Sequence, residues 1–195
     1  MIGAILAGGA NSRFGGEPKG LHTVRGVRII DRVARALSDV TDEIIVVSNA
    51  TDAPRWLPEA RVVADVRIER GSLVGIHTAL TRAGTDVIVV AWDMPFVTSS
   101  LMRLIRDRGR DERFATVPEG TKGLEPFCAT YTPACLPILD AALDAGEFWM
   151  STVLERLPSL TRITVAEMST IGDPSRLFFN VNDAADLAFA EQMSS

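Results

Sequence analysis

The chain reads as an α/β fold built on a mostly parallel central sheet. Short continuous apolar runs rich in β-branched residues recur along it, as in residues 43–47 (EIIVV) and 86–91 (DVIVVA). Between such runs lie segments with the spacing of a helix face, as in Ile29, Ile30, Val33, Ala34 and Leu37. Strands that alternate with helices return to the same sheet edge and pair in parallel. At 195 residues, 47% of them hydrophobic, the chain suggests one domain with a sizeable core.

The elements follow in order. Ile2, Ala4, Ile5 and Leu6 make a first buried strand, which runs into a glycine-rich loop. A helix is expected over 29–37, a strand over 43–47 and a short strand over 61–64 that ends at Asp65. A helix opened by Gly71-Ser72 follows over 72–82. The run 86–91 is apolar throughout, as a central strand must be when helices cover both faces. Thr98 caps a helix to about residue 108. Residues 114–117 and 126–131 read as strands joined by a glycine-bearing loop, 119–124. Helices are expected at 133–145 and 150–157, and strands at 162–165 and 178–181. Asn182-Asp183 then opens a last helix to about residue 192. No linker, repeat or low-complexity segment divides the chain.

Residues 1–21, MIGAILAGGANSRFGGEPKGL, carry the strongest functional signal. Five glycines fall within the thirteen residues 8–20, together with Arg13 and Lys19. Glycine lets a ligand approach the backbone closely, and successive inward N–H groups form an anion nest. A strand that ends in such a loop suggests a bound polyphosphate. The loop is not a Walker loop, because Pro18 precedes Lys19 and Gly20 follows it. No register of the glycines supplies the dinucleotide fingerprint G-x-G-x-x-G. Eighteen of the twenty cations are arginine, so Lys19 stands out as a compact point charge where arginine is the default.

In open α/β sheets, ligands lie beyond the carboxyl ends of the strands. Gly8, Asn49, Asp65 and Asp93 each follow an expected strand, so they should face one crevice. A carboxylate at the end of a buried strand needs a partner. Mg²⁺ fits Asp93, since it takes one or two carboxylates, phosphate oxygens and retained waters; capping the turn before Met94-Pro95 is the competing role. Asp65 could contact nucleotide, help position the metal or end a strand turn. Asn49 offers a donor and an acceptor to a base or ribose. Gly71 and Gly75 would let a flat base lie against backbone, and Arg70 could meet phosphate. Asn180 and Asn182 alternate along an expected extended segment, so both amides would face one side; capping the final helix competes for Asn182. Lys122 lies in a loop that could cover an acceptor or be free surface. His77 reads as structural, and no serine, cysteine and histidine set suggests a covalent nucleophile.

The pattern Leu6, Ala7, Gly8, Gly9, Ser12, Arg13, Phe14, Gly15, Lys19, Leu21 resembles the signature loop of nucleotidyltransferases that join an NTP to a phosphorylated acceptor. The double glycine, Gly16 and the Lys-Gly-Leu ending are most similar to the molybdenum cofactor guanylyltransferases. Supporting matches are A-W-D-M-P-F around Asp93, residues 70–80 (RGSLVGIHTAL), Glu125-Pro126 before F-C-A-T-Y, and F-F-N-V-N at 178–182. Three positions depart from the family pattern: Trp92 replaces a small residue, Ser72 a proline, and Pro18 an acidic residue.

The resemblance implies a Rossmann-like three-layer nucleotidyltransferase fold, 1–195, with residues 1–95 mainly nucleotide-binding and 96–195 mainly acceptor-binding. It implies transfer of GMP from GTP to molybdopterin or the molybdenum cofactor, with Mg²⁺. Arg13, Lys19 and Asp93 would be catalytic, and Asp93 the metal ligand. Leu6, Ala7, Gly8, Gly9, Lys19, Asn49, Asp65, Gly71, Gly75 and Asp93 would hold nucleotide, with Asn180 and Asn182 on the acceptor. Cofactor-insertion chaperones or apo-molybdoenzymes are the protein partners it brings. A cytidylyltransferase for the same cofactor, a sugar-1-phosphate nucleotidyltransferase and a non-catalytic cofactor carrier remain as alternatives.

Composition narrows the partners. The net charge of −5 argues against a general nucleic-acid binder. Residues 1–37 nevertheless carry six cations against two acids, which fits a small anionic ligand, although a solvated helix face near 25–35 accounts for most of those arginines. No run reaches the roughly 18 apolar residues of a membrane span. Cys128 and Cys135 fit no zinc pattern and form no disulfide framework. With no secretory signal in the first residues, a reduced cytoplasmic setting is the expectation.

Overall fold

A computed structural model describes residues 1–8, 17–69 and 71–193. The elements run β1 (Ile2–Leu6), β2 (Thr23–Val24), β3 (Val27–Arg28), α1 (Ile29–Ser38), β4 (Glu43–Val47), β5 (Arg61–Val63), α2 (Ser72–Ala83), β6 (Val87–Ala91), α3 (Ser99–Arg108), β7 (Ala115–Gly120), β8 (Gly123–Leu124), β9 (Cys128–Tyr131), α4 (Leu136–Asp144), α5 (Met150–Arg156), β10 (Thr161–Ile163), α6 (Val165–Met168), α7 (Pro174–Leu177) and α8 (Ala184–Gln192).

The main sheet has the order β10-β7-β9-β6-β1-β4-β5, with β8 paired to β7. The pairs β1–β4, β1–β6, β4–β5 and β10–β7 are parallel. Only β9, between β6 and β7, runs against its neighbours in that order. The expected mostly parallel α/β sheet is therefore the observed one, with β1 and β6 at its centre.

Side chains alternate across the sheet and build a core on each face. Ala4 and Leu6 of β1 pack with Val87 and Val89 of β6 against α2, α4 and α5. Ile5 packs with Ile88 and Val90 against α1, α3 and the C-terminal helices. The period of two along each strand is what lets one short apolar run feed two cores. Helix, sheet and helix make three layers.

Four stretches differ from the sequence reading. Residues 23–28 form a β-hairpin rather than part of a helix face, and Arg25 and Gly26 take φ of 53° and 74° at its turn; two successive left-handed residues are what a two-residue type I′ hairpin turn needs. The 119–124 loop is itself a hairpin, β7 to β8. The strand expected at 162–165 stops at Ile163, because Thr164 and Glu167 form a reciprocal capping box that opens α6. Residues 178–181 are not a strand. Asp173 caps α7 with Pro174 in its first turn, and the segment after Leu177 is irregular, its Val181 N–H donating to the Asp93 carbonyl at 2.8 Å instead of joining a ladder.

Candidate active site

The central pair of strands positions the site. Leu6 of β1 is in register with Ala91 of β6 and with Val47 of β4. Each ladder continues for one more bond: Ala7 N–H donates to Val47 O at 3.0 Å and Trp92 N–H to Leu6 O at 3.2 Å. Gly8 and Asp93 then leave the same sheet edge from adjacent strands. Among the described residues a Cβ at Gly8 would meet nothing within 4 Å, which leaves room for a ligand beside its backbone. Leu6 and Ala7 are buried and hold the start of the loop in place. Gly9 and Arg13 lie outside the described residues, as does Arg70.

Asp93 is largely buried, with a side chain 16% exposed. Its Oδ1 is buried without a hydrogen-bond partner among the described residues. Its Oδ2 lies 3.9 Å from Lys19 Nζ, which is beyond hydrogen-bond length. Burial pushes the Asp93 carboxyl above the usual carboxylate range, and the Lys19 ammonium opposes that shift. A buried carboxylate with an unused oxygen, one cation at the edge of contact and open backbone alongside has the donor chemistry for a hard divalent cation shared with a ligand. Among the described residues no group of three or more His, Cys, Asp or Glu could hold a metal by itself.

Lys19 opens a single 3₁₀ turn, Lys19–Leu21, behind Pro18, whose φ is −67°. The departure at Pro18 thus supplies the angle that starts the turn. Lys19 Nζ donates to Asn182 Oδ1 at 3.1 Å. Since Val181 is bonded to the Asp93 backbone, the C-terminal segment holds both members of the Lys19–Asp93 pair. Asn182 does not cap α8. Asp183 does so, accepting from Ala185 N and Asp186 N, and that leaves the Asn182 amide for Lys19. The Asn180 amide turns back on Phe178 O at 2.9 Å, so the two amides do not form the common face of an extended strand.

Trp92 explains its own departure. A Cβ at Gly20 would come within 2.5 Å of Trp92 Cε3, so the indole lies directly on the Gly20 backbone. The indole also stacks on Trp56 at 5.0 Å between ring centroids. Bulk after β6 is matched by absence of bulk after Lys19, and the lysine turn is packed against the strand that delivers Asp93. Sequence reasoning missed this pairing, because Gly20 and Trp92 are far apart in the chain and meet only in the fold.

Asn49 and Asp65 end β4 and β5 and face each other. Asn49 Nδ2 donates to Asp65 Oδ2 at 2.7 Å, and Asp65 N donates to Asn49 Oδ1 at 2.9 Å. Thr78 of α2 adds a bond to Asp65 Oδ1 at 3.3 Å. β5 stands three strands from β6, about 14 Å at ordinary strand spacing, so Asp65 belongs to a different part of the crevice from the Lys19–Asp93 pair. Gly71 has φ of 143°, a conformation that favours glycine, just before α2. Gly75 is used differently from the sequence reading: it is buried, and its missing Cβ makes room for Leu6 Cδ2 at 3.2 Å, bringing α2 onto β1.

On the other side of β6, Glu125 begins the return to β9. Its side chain fills the space a Cβ at Gly120 would take, and burial raises its carboxyl to about 7, against the pull of Lys122. Lys122, Pro126, Leu154, Glu155 and Arg162 line a cavity of about 300 Å³ there. His77 is buried and meets Asp140 at 2.9 Å between α2 and α4, a structural contact.

Comparison with known proteins fits this arrangement. The family model described as MobA-like NTP transferase domain matches residues 3–160. The chain belongs to this family. Among curated MobA-like relatives, the molybdenum cofactor guanylyltransferase of Desulfosudis oleivorans is 34% identical, covering 98% of this chain and 94% of its own. A probable molybdenum cofactor guanylyltransferase of Pelotomaculum thermopropionicum is also 34% identical, over 98% and 92%. Among solved MobA-like structures, molybdopterin-guanine dinucleotide biosynthesis protein A from Archaeoglobus fulgidus superposes with a TM-score of 0.84 at 28% identity, over 98% and 97% of the two chains. This MobA-like chain is thus a nucleotidyltransferase. Among its described residues no helix is long and apolar enough to cross a membrane.

Proposed function

We infer that this chain transfers GMP from GTP to the terminal phosphate of molybdopterin or its molybdenum form, giving the guanine dinucleotide cofactor and pyrophosphate. The observation that carries the reading is the convergence of Gly8, Lys19, Asp93 and Asn182 at the ends of β1 and β6. An acceptor phosphate oxygen forms a bond to the α-phosphorus as the bond to the β-phosphate bridging oxygen breaks, and pyrophosphate leaves with that electron pair. The nucleophile is already an anion and needs no strong base. What the reaction needs is relief of repulsion between two phosphates, and in-line placement.

Lys19 supplies a fixed positive charge to the phosphates, and Asn182 holds its ammonium in place. Arg13 and the N–H groups of residues 8–9 belong to the same task. Asp93 would hold Mg²⁺, whose charge offsets that of the triphosphate and the departing pyrophosphate. Asn49, Asp65 and Gly71 lie where the nucleoside end would run, toward β4 and β5, with Leu6, Ala7 and Gly75 as the packed floor beneath it. Residues 1–95 then serve mainly the nucleotide and 96–195 mainly the acceptor, with Asn180, Asn182 and the cavity beside Lys122 on the acceptor side. On this reading the protein works in the cytoplasm, and cofactor-insertion chaperones or apo-molybdoenzymes receive its product.

The test is to incubate the purified protein with Mg²⁺, molybdopterin and each of the four NTPs, and to measure pyrophosphate. Release with GTP that depends on the acceptor is expected. Release with CTP in its place, or GTP binding without release, overturns the reading in favour of a cytidylyltransferase or a carrier.

A further inference from the structure

Away from the crevice, between α1, the start of α3 and α7, lies a second cavity of about 310 Å³. Its lining includes neither Lys19, Asp93 nor Asn182. Three arginines, Arg32, Arg35 and Arg176, share its wall with an apolar patch that includes Phe96 and with Thr98 and Ser99 at the head of α3. Three guanidinium groups around one small space repel each other; burial first, then the charges of Arg25, Arg35 and Arg176, lower the Arg32 pKa, against the pull of Glu191.

The carboxylates nearest this cluster also engage other groups, although Glu191 still attracts Arg32 and Asp173 still attracts Arg176. Asp31, one helical turn from Arg35, accepts both bonds from Arg28 at 2.6 and 2.8 Å. Asp39, one turn the other way, takes Arg103 at 3.1 Å. Asp173 accepts from Ser175 N and Oγ, and Glu191 accepts Arg25 N at 2.8 Å. Arg32 gives one Nη to Val24 O, and its Nε is buried without an acceptor among the described residues. The Arg176 guanidinium lies over the Phe96 ring at 4.8 Å, which fixes its position without spending its charge. Thr98 Oγ1 takes the Leu101 N–H, so the N–H groups of Ser99 and Ser100 face outward along the helix axis.

We propose that this cavity is a second anion site, for a compact, multiply charged phosphate of the size of pyrophosphate. Arginine forks suit phosphate oxygens in a bidentate way, and the helix start adds oriented donors to the same space. The wall of the cavity begins at Pro95, two residues beyond Asp93, so an anion seated there bears on the segment that carries the carboxylate.

The experiment is isothermal titration of the full-length protein with pyrophosphate, and in parallel with inorganic phosphate, without nucleotide or divalent cation. The variants are Arg35→Gln, Arg176→Gln and, as the crevice control, Lys19→Ala, each checked for an unchanged circular dichroism spectrum. Saturable pyrophosphate binding that survives Lys19→Ala and weakens about tenfold in each arginine variant is expected, on the scale of losing one charge-assisted bond. Phosphate should bind more weakly than pyrophosphate at the same place. Binding that disappears with Lys19→Ala and is indifferent to Arg35 and Arg176, or no saturable binding of either anion, overturns the proposal. Neither result depends on the transferase assignment.

Discussion

Lys19 and Asn182, separated by 163 positions in sequence, meet at 3.1 Å through Nζ and Oδ1. Asn182 thereby positions the cation that the proposed chemistry uses. Lys19→Ala is expected to lower turnover by at least ~100-fold, the scale of a lost electrostatic group. Asn182→Ala should cost about tenfold, because the ammonium stays but loses its anchor. In the double variant the effects should not multiply, since both act on one charge. Steady-state kinetics of the four proteins decides this, and strict multiplicativity would separate the two roles.

Asp93 carries two expectations of opposite sign. Its unused Oδ1 marks it for a cation, so Asp93→Ala should cut turnover at least ~100-fold, and near-normal turnover would remove its metal role. Its carboxyl is raised by burial. A raised acid costs stability once pH passes the unfolded value, because the native state resists ionisation. Metal-free Asp93→Asn should therefore melt higher than the parent protein at neutral pH. Adding Mg²⁺ should raise the melting temperature of the parent and not of the variant. Thermal melts with and without the ion measure both.

Glu125 makes a similar prediction at a resolved pH. Its carboxyl rises from 4.5 to about 7 on folding. The native state holds the proton more tightly, so stability should fall as pH rises between these values and level off above them. Glu125→Gln should flatten that part of the profile. Urea denaturation across the window checks it, and a parallel profile in the variant would show that other groups set the slope.

Gly20 and Trp92 form a steric pair, with 2.5 Å between a would-be Cβ and the indole. Gly20→Ala should destabilise the protein by ~1–3 kcal/mol through overpacking. In the Trp92→Leu background the same change should cost much less. A double-mutant cycle in urea measures the coupling, and equal costs in both backgrounds would mean that the turn moves away from the ring.

The sheet was legible because its strands announce themselves. β1, β4 and β6 are unbroken apolar runs, and their alternation with helical spacing leaves one arrangement open. The strand-end argument placed Gly8 and Asp93 at one edge, and Leu6 opposite Ala91 does so. Short or polar elements escaped. The β2–β3 hairpin has two residues per strand, too few for a period to show, and its turn is Arg-Gly rather than a common hairpin pair. Residues 178–181 have strand composition but sit beyond the sheet, where the Asp93 carbonyl is the available acceptor. Asn182 reads equally as a cap or a ligand until the position of Lys19 is known. Gly75 looked like room for a base, and helix α2 fills that room with Leu6. Such contacts join residues far apart in the chain, and local pattern carries no trace of them.

The bond from Val181 to the Asp93 carbonyl has a consequence for synthesis. Every strand of the sheet is complete by Ile163, and the family match ends at residue 160. A growing chain that has already formed every strand of its sheet therefore still lacks both the helices that complete one core face and the piece that clasps lysine and aspartate together. Domains take shape from the amino end as they are made, so the sheet would form before the lysine–aspartate pair is held, and the site would be completed only after the segment around Val181 has docked.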